Sequence, residues 1–247
     1  MLAIYKREMH AYFTTSVGYI FIAVALALSG FCFSITTLQG LGGTPTADTS
    51  TYFLIMIFAL MIMLPILTMK SFSEERKTKT EQLLLTAPVS ITSMVAAKFL
   101  AAYTMFVGTV LLSSFNYVTI YLYAEKSTIY GNMDPNAAAI VGNTIAMLLV
   151  GMCFIAIGLF ISSLTENQFA AVVITIAVLL GLLFIGTFNN IINVYAIRYI
   201  LSWLSIYSRY SNFANGFFDF GALFYYLSIT VVFLFLTIRV YEKRRWN

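Results

Sequence analysis

The residues of this sequence that could do chemistry are few and scattered. The single histidine, His10, precedes the first apolar run, and Cys32 and Cys153 both fall inside apolar runs. No Cys/His cluster has the spacing of a metal site. No glycine is followed by a lysine, so the phosphate-binding loop of nucleotide hydrolases is absent. We therefore expect this chain to hold no catalytic site, no metal and no nucleotide.

The charged segment at residues 70–90 is the stretch whose residue types suggest a binding chemistry. It reads KSFSEERKTKTEQLLLTAPVS and has apolar runs on both sides. Thr78 and Glu81 have the spacing of a capping box, which predicts a short helix that starts at Thr78 and ends before Pro88. A short helix with charges at its start and leucines after it suits docking into a groove of a partner protein. A solvated loop with incidental helicity explains the same residues equally well.

The elements that carry this segment are strongly apolar. The chain is 60% hydrophobic and 10% charged, whereas a soluble domain carries about 25% charged residues. This composition predicts an all-α integral membrane protein in which residues 1–247 form a single transmembrane domain. Six spans are predicted, at residues 17–38, 52–69, 93–122, 138–162, 168–187 and 222–240.

The positive charges predict how these spans are oriented. Of the 14 Lys and Arg residues, only Lys126, Arg198 and Arg209 lie on the side opposite to both termini and to residues 70–90. The positive-inside rule places the richer side in the cytoplasm. We therefore expect a multi-pass protein of the cytoplasmic membrane with both termini cytoplasmic. Because the positive charges flank spans, the net charge of +4 does not indicate nucleic-acid binding.

The N-terminal residues 1–16 have the pattern of an amphipathic helix lying in the membrane interface. One helical face carries only apolar and aromatic side chains, and the other is polar. The apolar face consists of Leu2, Tyr5, Met9, Tyr12 and Phe13. The polar face consists of Lys6, Arg7 and His10. A simple anchoring flank is the alternative interpretation.

Two later segments also have a predicted structure. Residues 163–167 predict a tight turn, and Thr165 with Gln168 forms a capping box that would open the fifth span. Residues 188–221 are rich in aromatic side chains and predict an extracytoplasmic segment of short re-entrant helices. An aromatic belt at the interface fits residues 188–221 as well.

Four motifs, which follow one another in the same order as in the family, resemble the ABC-2 family of transporter permeases. They read YKREMHAYFTTSVGYIF, EERKTKTEQLLLTAPVS, SSLTENQFAA, and SNFANGFFDF followed by LFYYLSITVVFLFLTIRVYEKRRW. Thr80 and the triplet Pro88-Val89-Ser90 match the family pattern, whereas Lys79 stands where members usually have glycine. Within the family, the chain is most similar to the small permeases of gliding-motility and copper-processing transporters.

The resemblance implies half of a transporter that a separate ATPase drives. Members have six spans, an N-terminal amphipathic helix, a coupling helix that sits in a cleft of the ATPase, and re-entrant helices before the last span. Two permeases and two ATPase subunits form the working unit. ATP and Mg²⁺ would be bound by the partner ATPase, and no cofactor by this chain. The second permease could be another copy or a longer paralogue with an extracytoplasmic domain.

The resemblance also indicates which residues would act. The coupling segment would comprise Glu74, Glu75, Thr80, Glu81, Leu83 and Leu84. Lys6, Arg7 and Glu8 would contact the ATPase from the N-terminal helix. In residues 188–221, the candidates for contact with an extracytoplasmic partner or a gate are Trp203, Tyr207, Gly216 and Asp219.

Two functions fit this reading. The first is a permease that moves an amphipathic or lipid-like substrate across the membrane. The second is a mechanotransmission subunit that passes the ATPase stroke to an extracytoplasmic partner domain and transports nothing. A secondary transporter is not favoured, because no acidic residue lies within a predicted span and no inverted repeat is visible.

Overall fold

The computed structural model describes residues 1–38, 49–82, 89–124, 136–185, 205–206, 209–210, 213 and 219–246. All regular secondary structure in these ranges is helical. The helices are α1 (Leu2–Thr14), α2 (Ser16–Phe33), α3 (Ser50–Lys77), α4 (Ile91–Ser113), α5 (Phe115–Ala124), α6 (Ala137–Leu164), α7 (Gln168–Phe184) and α8 (Phe220–Trp246). A π-helical stretch, Ser34–Leu38, extends α2.

Five of these segments are long and apolar enough to cross a membrane. They are Ser16–Thr37, Ser50–Lys77, Ile91–Ile120, Ala137–Leu164 and Phe220–Arg245. Helix α7 is apolar but has 17 residues, which makes it about 25 Å long and shorter than a hydrocarbon core of about 30 Å. Five of the six predicted spans therefore correspond to candidate spanning helices, and the span at 168–187 stays a prediction.

Helix α6 forms the centre of the bundle. It packs against α3, α4, α7 and α8, and most of its side chains are buried. Gly158 lets α6 approach α3 closely, because a Cβ atom at this position would clash with the hydroxyl of Thr68. Small residues at helix crossings have this effect in membrane proteins, where close van der Waals packing drives helix association.

The outer helices α2 and α8 expose large apolar side chains. Phe31 on α2 and Phe224 on α8 are more than half exposed, and so are Tyr19, Ile20, Phe220, Val231 and Val232. Apolar surface of this extent is unfavourable in water but favourable against lipid. The outside of the bundle therefore has the character expected of a membrane protein.

A sharp bend at Thr15 joins α1 to α2. Thr15 has an extended backbone, with φ −91° and ψ 151°. Gly18, in the first turn of α2, lies against the backbone carbonyl of Tyr12, and a Cβ atom at Gly18 would clash with that carbonyl. Because the opposing atom belongs to the backbone, no change of rotamer would relieve the clash. Glycine is therefore required for this angle between α1 and α2.

Helix α1 packs along α4 and against the start of α2. Of its predicted apolar face, Tyr5, Met9 and Tyr12 are half-buried, whereas Leu2 and Phe13 are exposed. The packed surface also includes the carboxylate Glu8. Contacts with the bundle, as well as polarity, therefore determine which side chains of α1 are buried.

The capping box predicted at Thr78 and Glu81 is wrong. Helix α3 continues past the predicted end of the second span to Lys77, and Thr78 is its C-cap. The Thr78 hydroxyl donates to the carbonyl of Glu74 at 2.8 Å instead of capping a new helix. A threonine hydroxyl can bond the carbonyl four residues earlier as readily as a later amide, so spacing alone does not distinguish the two uses.

The capping box predicted at Thr165 and Gln168 is also wrong. Thr165 is the C-cap of α6, and its hydroxyl donates to the carbonyl of Ile161 at 3.2 Å. Helix α7 is capped by Asn167, whose Oδ1 accepts from the amide of Phe169 at 3.0 Å. The helix begins at the predicted place, but the adjacent asparagine is a better cap than the threonine.

Candidate functional site

Four helices bring their charged residues together at one end of the bundle. This end contains helix α1, the C-terminal turns of α3 and α8, and the start of α4. We call it the basic end, after Lys70, Lys77, Lys98, Arg244 and Arg245. Residues 77–82 of the charged segment lie at this end.

Lys98 on α4 is at the centre of the basic end. Its side chain is 1% exposed, and Nζ donates to the carbonyl of Ser71 at 2.6 Å, to Glu75 Oε1 at 2.8 Å and to Glu8 Oε1 at 3.2 Å. These three acceptors match the three hydrogens of the ammonium group. Nζ also lies 5.0 Å from the ring centre of Phe72, within the range of a cation–π contact. Lys98 therefore joins α1, α3 and α4.

Arg7 on α1 completes this network. Its Nη2 donates to Glu8 Oε1 at 2.8 Å and to Glu75 Oε1 at 3.0 Å. Two cations and two carboxylates thus neutralise one another, which lowers the cost of burying Lys98. The hydrogen bond that Arg7 donates to Glu8 raises the pKa of Arg7, so the guanidinium stays charged at any physiological pH. We call Arg7, Glu8, Glu75 and Lys98 the ion network.

A second ion pair attaches the charged segment to α8. Arg244 Nη1 donates to Glu81 Oε1 at 2.9 Å, and Nη2 donates to the carbonyl of Ser163 at the end of α6 at 2.7 Å. The guanidinium carbon lies 5.3 Å from the ring centre of Tyr241, and that ring packs on Phe72. The Glu81 side chain is only 13% exposed, so its carboxylate faces α8.

The last turns of α3 are also bonded to the end of α6. Arg76 donates from Nη1 to the carbonyl of Leu164 at 2.8 Å and pairs through Nη2 with Glu166 at 2.9 Å. The hydroxyl of Ser162 accepts from the amides of Phe72 and Ser73 at 3.3 and 3.2 Å. The described part of the charged segment is therefore held on three sides, by α1 with α4, by α6 and by α8, which disagrees with the alternative of a solvated loop.

Between these attachments, a short part of the charged segment is exposed. Lys77, Thr78, Lys79 and Thr80 are all exposed, and we call them the tip. Lys79 has φ 57°, in the left-handed region. Its amide donates to the carbonyl of Arg76 at 3.1 Å, a bond of the Schellman turn that ends many helices. The tip is therefore a sharp reversal of the chain at the end of α3.

A family model described as "ABC-2 family transporter protein" matches residues 11–246. This chain belongs to the ABC-2 transporter family. It is a multi-pass membrane permease subunit of an ABC transporter, and its partners are an ABC ATPase and the lipid bilayer. No curated protein matches the permease in sequence. Arg7 and Glu8 lie just before the matched region.

Four of the residues predicted for ATPase coupling form ion pairs within the permease itself. Arg7, Glu8 and Glu75 belong to the ion network, and Glu81 pairs with Arg244. The other described candidates, Lys6, Glu74 and Thr80, are exposed. Leu83 and Leu84 lie outside the described residues. The coupling role of all of these residues stays a prediction.

The residues predicted to contact an extracytoplasmic partner or gate are mostly outside the described part of the chain. This holds for Trp203, Tyr207 and Gly216 and for the re-entrant helices at 188–221. Asp219 is described, and its Oδ1 accepts from the amides of Gly221 at 2.7 Å and Ala222 at 3.3 Å. Asp219 therefore caps the first turn of α8, at the end of the bundle opposite to the basic end.

Sequence reasoning missed two residues that organise the basic end. In the sequence, Lys98 lies near the end of the predicted span 93–122, where a lysine can reach the headgroups, and Arg244 is one of several charges after the last span. Lys98 did carry a signal, because a charged residue inside a predicted span is a functional candidate by default. Arg244 carried none, since three of its neighbours are also basic or acidic.

The left-handed turn at the tip predicts that Lys79→Gly stabilises the permease. A left-handed backbone costs a non-glycine residue about 1–2 kcal/mol, and glycine removes most of that cost. We expect the free energy of unfolding to rise by about 1 kcal/mol, measured by denaturant unfolding of the purified chain in detergent. Glu74→Gly, in the regular part of α3, is the control and should lower it by about 1 kcal/mol. Destabilisation by both substitutions would contradict the turn.

Proposed function

We propose that the permease receives the stroke of its ATPase at the tip and transmits it through two internal attachments, the ion network and the Glu81–Arg244 pair. The observation that carries this proposal is that the charged segment has an exposed tip, whereas the flanking carboxylates of Glu75 and Glu81 are largely buried and bonded inside the permease. A segment held in this way moves with α1, α4, α6 and α8 rather than independently. Glu75 and Glu81 then position the tip, and the tip contacts the partner.

The proposal places the basic end in the cytoplasm. The excess of Lys and Arg at this end supports the orientation, with both termini inside and residues 188–221 outside. ATP and Mg²⁺ would be bound by the ATPase, in two copies, and this chain would take no part in catalysis. Helix α7 would belong to the remaining predicted span, at residues 168–187. The quoted motifs favour the gliding-motility and copper-processing subtype.

The dense side-chain packing inside the bundle supports a substrate path between two permeases rather than through one. The middle of α6, including Cys153, Phe154 and Ile157, is completely buried among apolar side chains. An amphipathic or lipid-like substrate would accordingly move along the apolar surfaces of a permease pair. The same apolar filling also suits the alternative, in which residues 188–221 pass the stroke to an extracytoplasmic domain and no substrate moves.

The proposal is tested by co-purification of the tagged permease from its native membranes in mild detergent. We expect an ABC ATPase in stoichiometric amount, identified by mass spectrometry. Reversing the exposed charges of the tip with Lys77→Glu and Lys79→Glu should remove at least about nine-tenths of the ATPase, because rim charges that face an oppositely charged cleft set the association rate. Lys243→Glu, exposed on α8, is the matched control.

An ATPase that remains bound to the doubly reversed tip would contradict the assignment of the tip as the contact surface. A second, longer permease in the same eluate would establish a heterodimer, and its absence together with two copies of this chain would establish a homodimer.

A further inference from the structure

A cavity of about 320 Å³ lies at the basic end between α1, the last turns of α3 and the start of α4. Its lining has two parts. One is apolar and consists of Ala11, Val17 and Leu67, with the ring of Tyr12. The other carries three cations and three carboxylates, namely Arg7, Lys70, Lys98, Glu8, Glu74 and Glu75. The cavity is therefore amphipathic and neutral overall.

Two of the six charged groups lie outside the ion network. The ion network already pairs Arg7, Glu8, Glu75 and Lys98 with one another. The side chains of Lys70 and Glu74 have no hydrogen bond or ion pair with the described part of the chain. They are four residues apart on α3, so they lie on the same face in consecutive turns. The cavity thus presents one free ammonium and one free carboxylate side by side.

The position of the cavity places it at the level of the lipid headgroups. Helix α1 is amphipathic and bends away from the spanning helix α2 at Thr15, and such helices lie in the boundary between headgroups and acyl chains. Lys70 and Glu74 follow the apolar run of α3 at residues 52–69. A lipid that enters the cavity from the bilayer would meet Leu67 and Val17 with its apolar part and Lys70 with its phosphate.

We propose that this cavity binds one aminophospholipid of the phosphatidylethanolamine type. The lipid phosphate accepts from the ammonium of Lys70, and the lipid ammonium donates to the carboxylate of Glu74. The glycerol and the first acyl carbons pack on Ala11, Val17 and Leu67. A phosphatidylglycerol headgroup would leave Glu74 without a cation, and a choline headgroup has no N–H to donate to it. The arrangement of charges therefore selects for a primary amine as well as for a phosphate.

The proposal is tested by native mass spectrometry of the purified full chain in dodecyl maltoside. Phosphatidylethanolamine, phosphatidylglycerol and phosphatidylcholine with the same palmitoyl and oleoyl chains are titrated separately. We expect one phosphatidylethanolamine molecule per chain, with an apparent Kd about tenfold lower than for the other two lipids, as one charge-assisted hydrogen bond provides. Equal binding of all three, or tighter binding of phosphatidylglycerol, would overturn the proposal.

Two substitutions locate the site. Lys70→Met and Glu74→Gln should each weaken binding of phosphatidylethanolamine about tenfold, and Glu74→Gln should leave binding of phosphatidylglycerol unchanged. Lys243→Met, outside the cavity, is the matched control. If both cavity variants bind phosphatidylethanolamine as the control does, the cavity is not the site and the proposal fails. The comparison of the three lipids on the unaltered chain decides the question even where a variant does not fold.

Discussion

Lys98→Met is expected to lower the free energy of unfolding of the permease by about 3 kcal/mol. The substitution removes the cation to which Glu8 and Glu75 are bonded and leaves both carboxylates largely buried. Breaking one partner of a buried pair costs about 3–5 kcal/mol, and Arg7 offsets part of this because it still contacts both carboxylates. The measurement is denaturant unfolding of the purified chain in detergent, followed by circular dichroism.

Two further variants separate loss of the ion pair from loss of packing. Lys77→Met changes an exposed lysine at the end of the adjacent helix and should alter stability by less than about 0.5 kcal/mol. Combining Lys98→Met with Glu75→Met replaces a buried pair by apolar side chains, and such replacements are often neutral. We expect the double variant to recover at least half of the loss. A loss below about 1 kcal/mol for Lys98→Met alone would show that the network is solvated.

Glu81→Lys is expected to reduce permease-dependent ATP hydrolysis about tenfold or more in the reconstituted complex, with normal insertion into the membrane. The substituted lysine would face Arg244, which is also bonded to Ser163, so the segment would lose its attachment to α8. Losing one partner of a largely buried charge pair costs several kcal/mol locally, which is ample for a tenfold effect. The measurement is the ATPase rate of the complex with the variant, relative to the ATPase subunit alone.

The exchange of both charges distinguishes an internal role of Glu81 from direct contact with the ATPase. Glu81→Arg combined with Arg244→Glu restores a pair of opposite charges inside the permease. If Glu81 positions the tip, the combined variant should recover most of the activity that either single variant loses. If the combined variant is as inactive as the single ones, the carboxylate of Glu81 acts on the partner and our assignment is wrong. Arg239→Glu, exposed on the same helix, controls for charge reversal itself.

The spans could be predicted because their signal is local. Twenty consecutive apolar residues leave few alternatives to a spanning helix, and the predicted ranges at 52–69 and 138–162 lie within α3 and α6. The amphipathic periodicity of residues 2–13 likewise predicted α1. In each case the property that determines the structure is carried by neighbouring residues in the chain.

The organisation of the basic end could not be predicted in this way, because its partners are distant in sequence. Arg244 and Glu81 are 163 positions apart, and Lys98 and Glu8 are 90 apart. Lys98 could extend to the headgroups or be buried, and the docking of α1 over α4 decides between them. The two wrong capping boxes have a similar cause, since whether a threonine bonds forward or backward depends on whether the preceding helix has ended. The coupling role of Leu83 and Leu84 stays a prediction.

The close approach of Gly18 to the Tyr12 carbonyl makes α1 and α2 one bent, rigid rod. Arg7 and Glu8 lie eight and seven residues before the bend at Thr15, so they are about 11 Å from it along α1. A sideways force on Glu8 or Arg7, which are joined to α3 and α4, acts on this arm and produces torque about the axis of α2. Since α2 exposes much of its surface, that rotation changes which side chains it shows to a neighbouring helix in the bilayer.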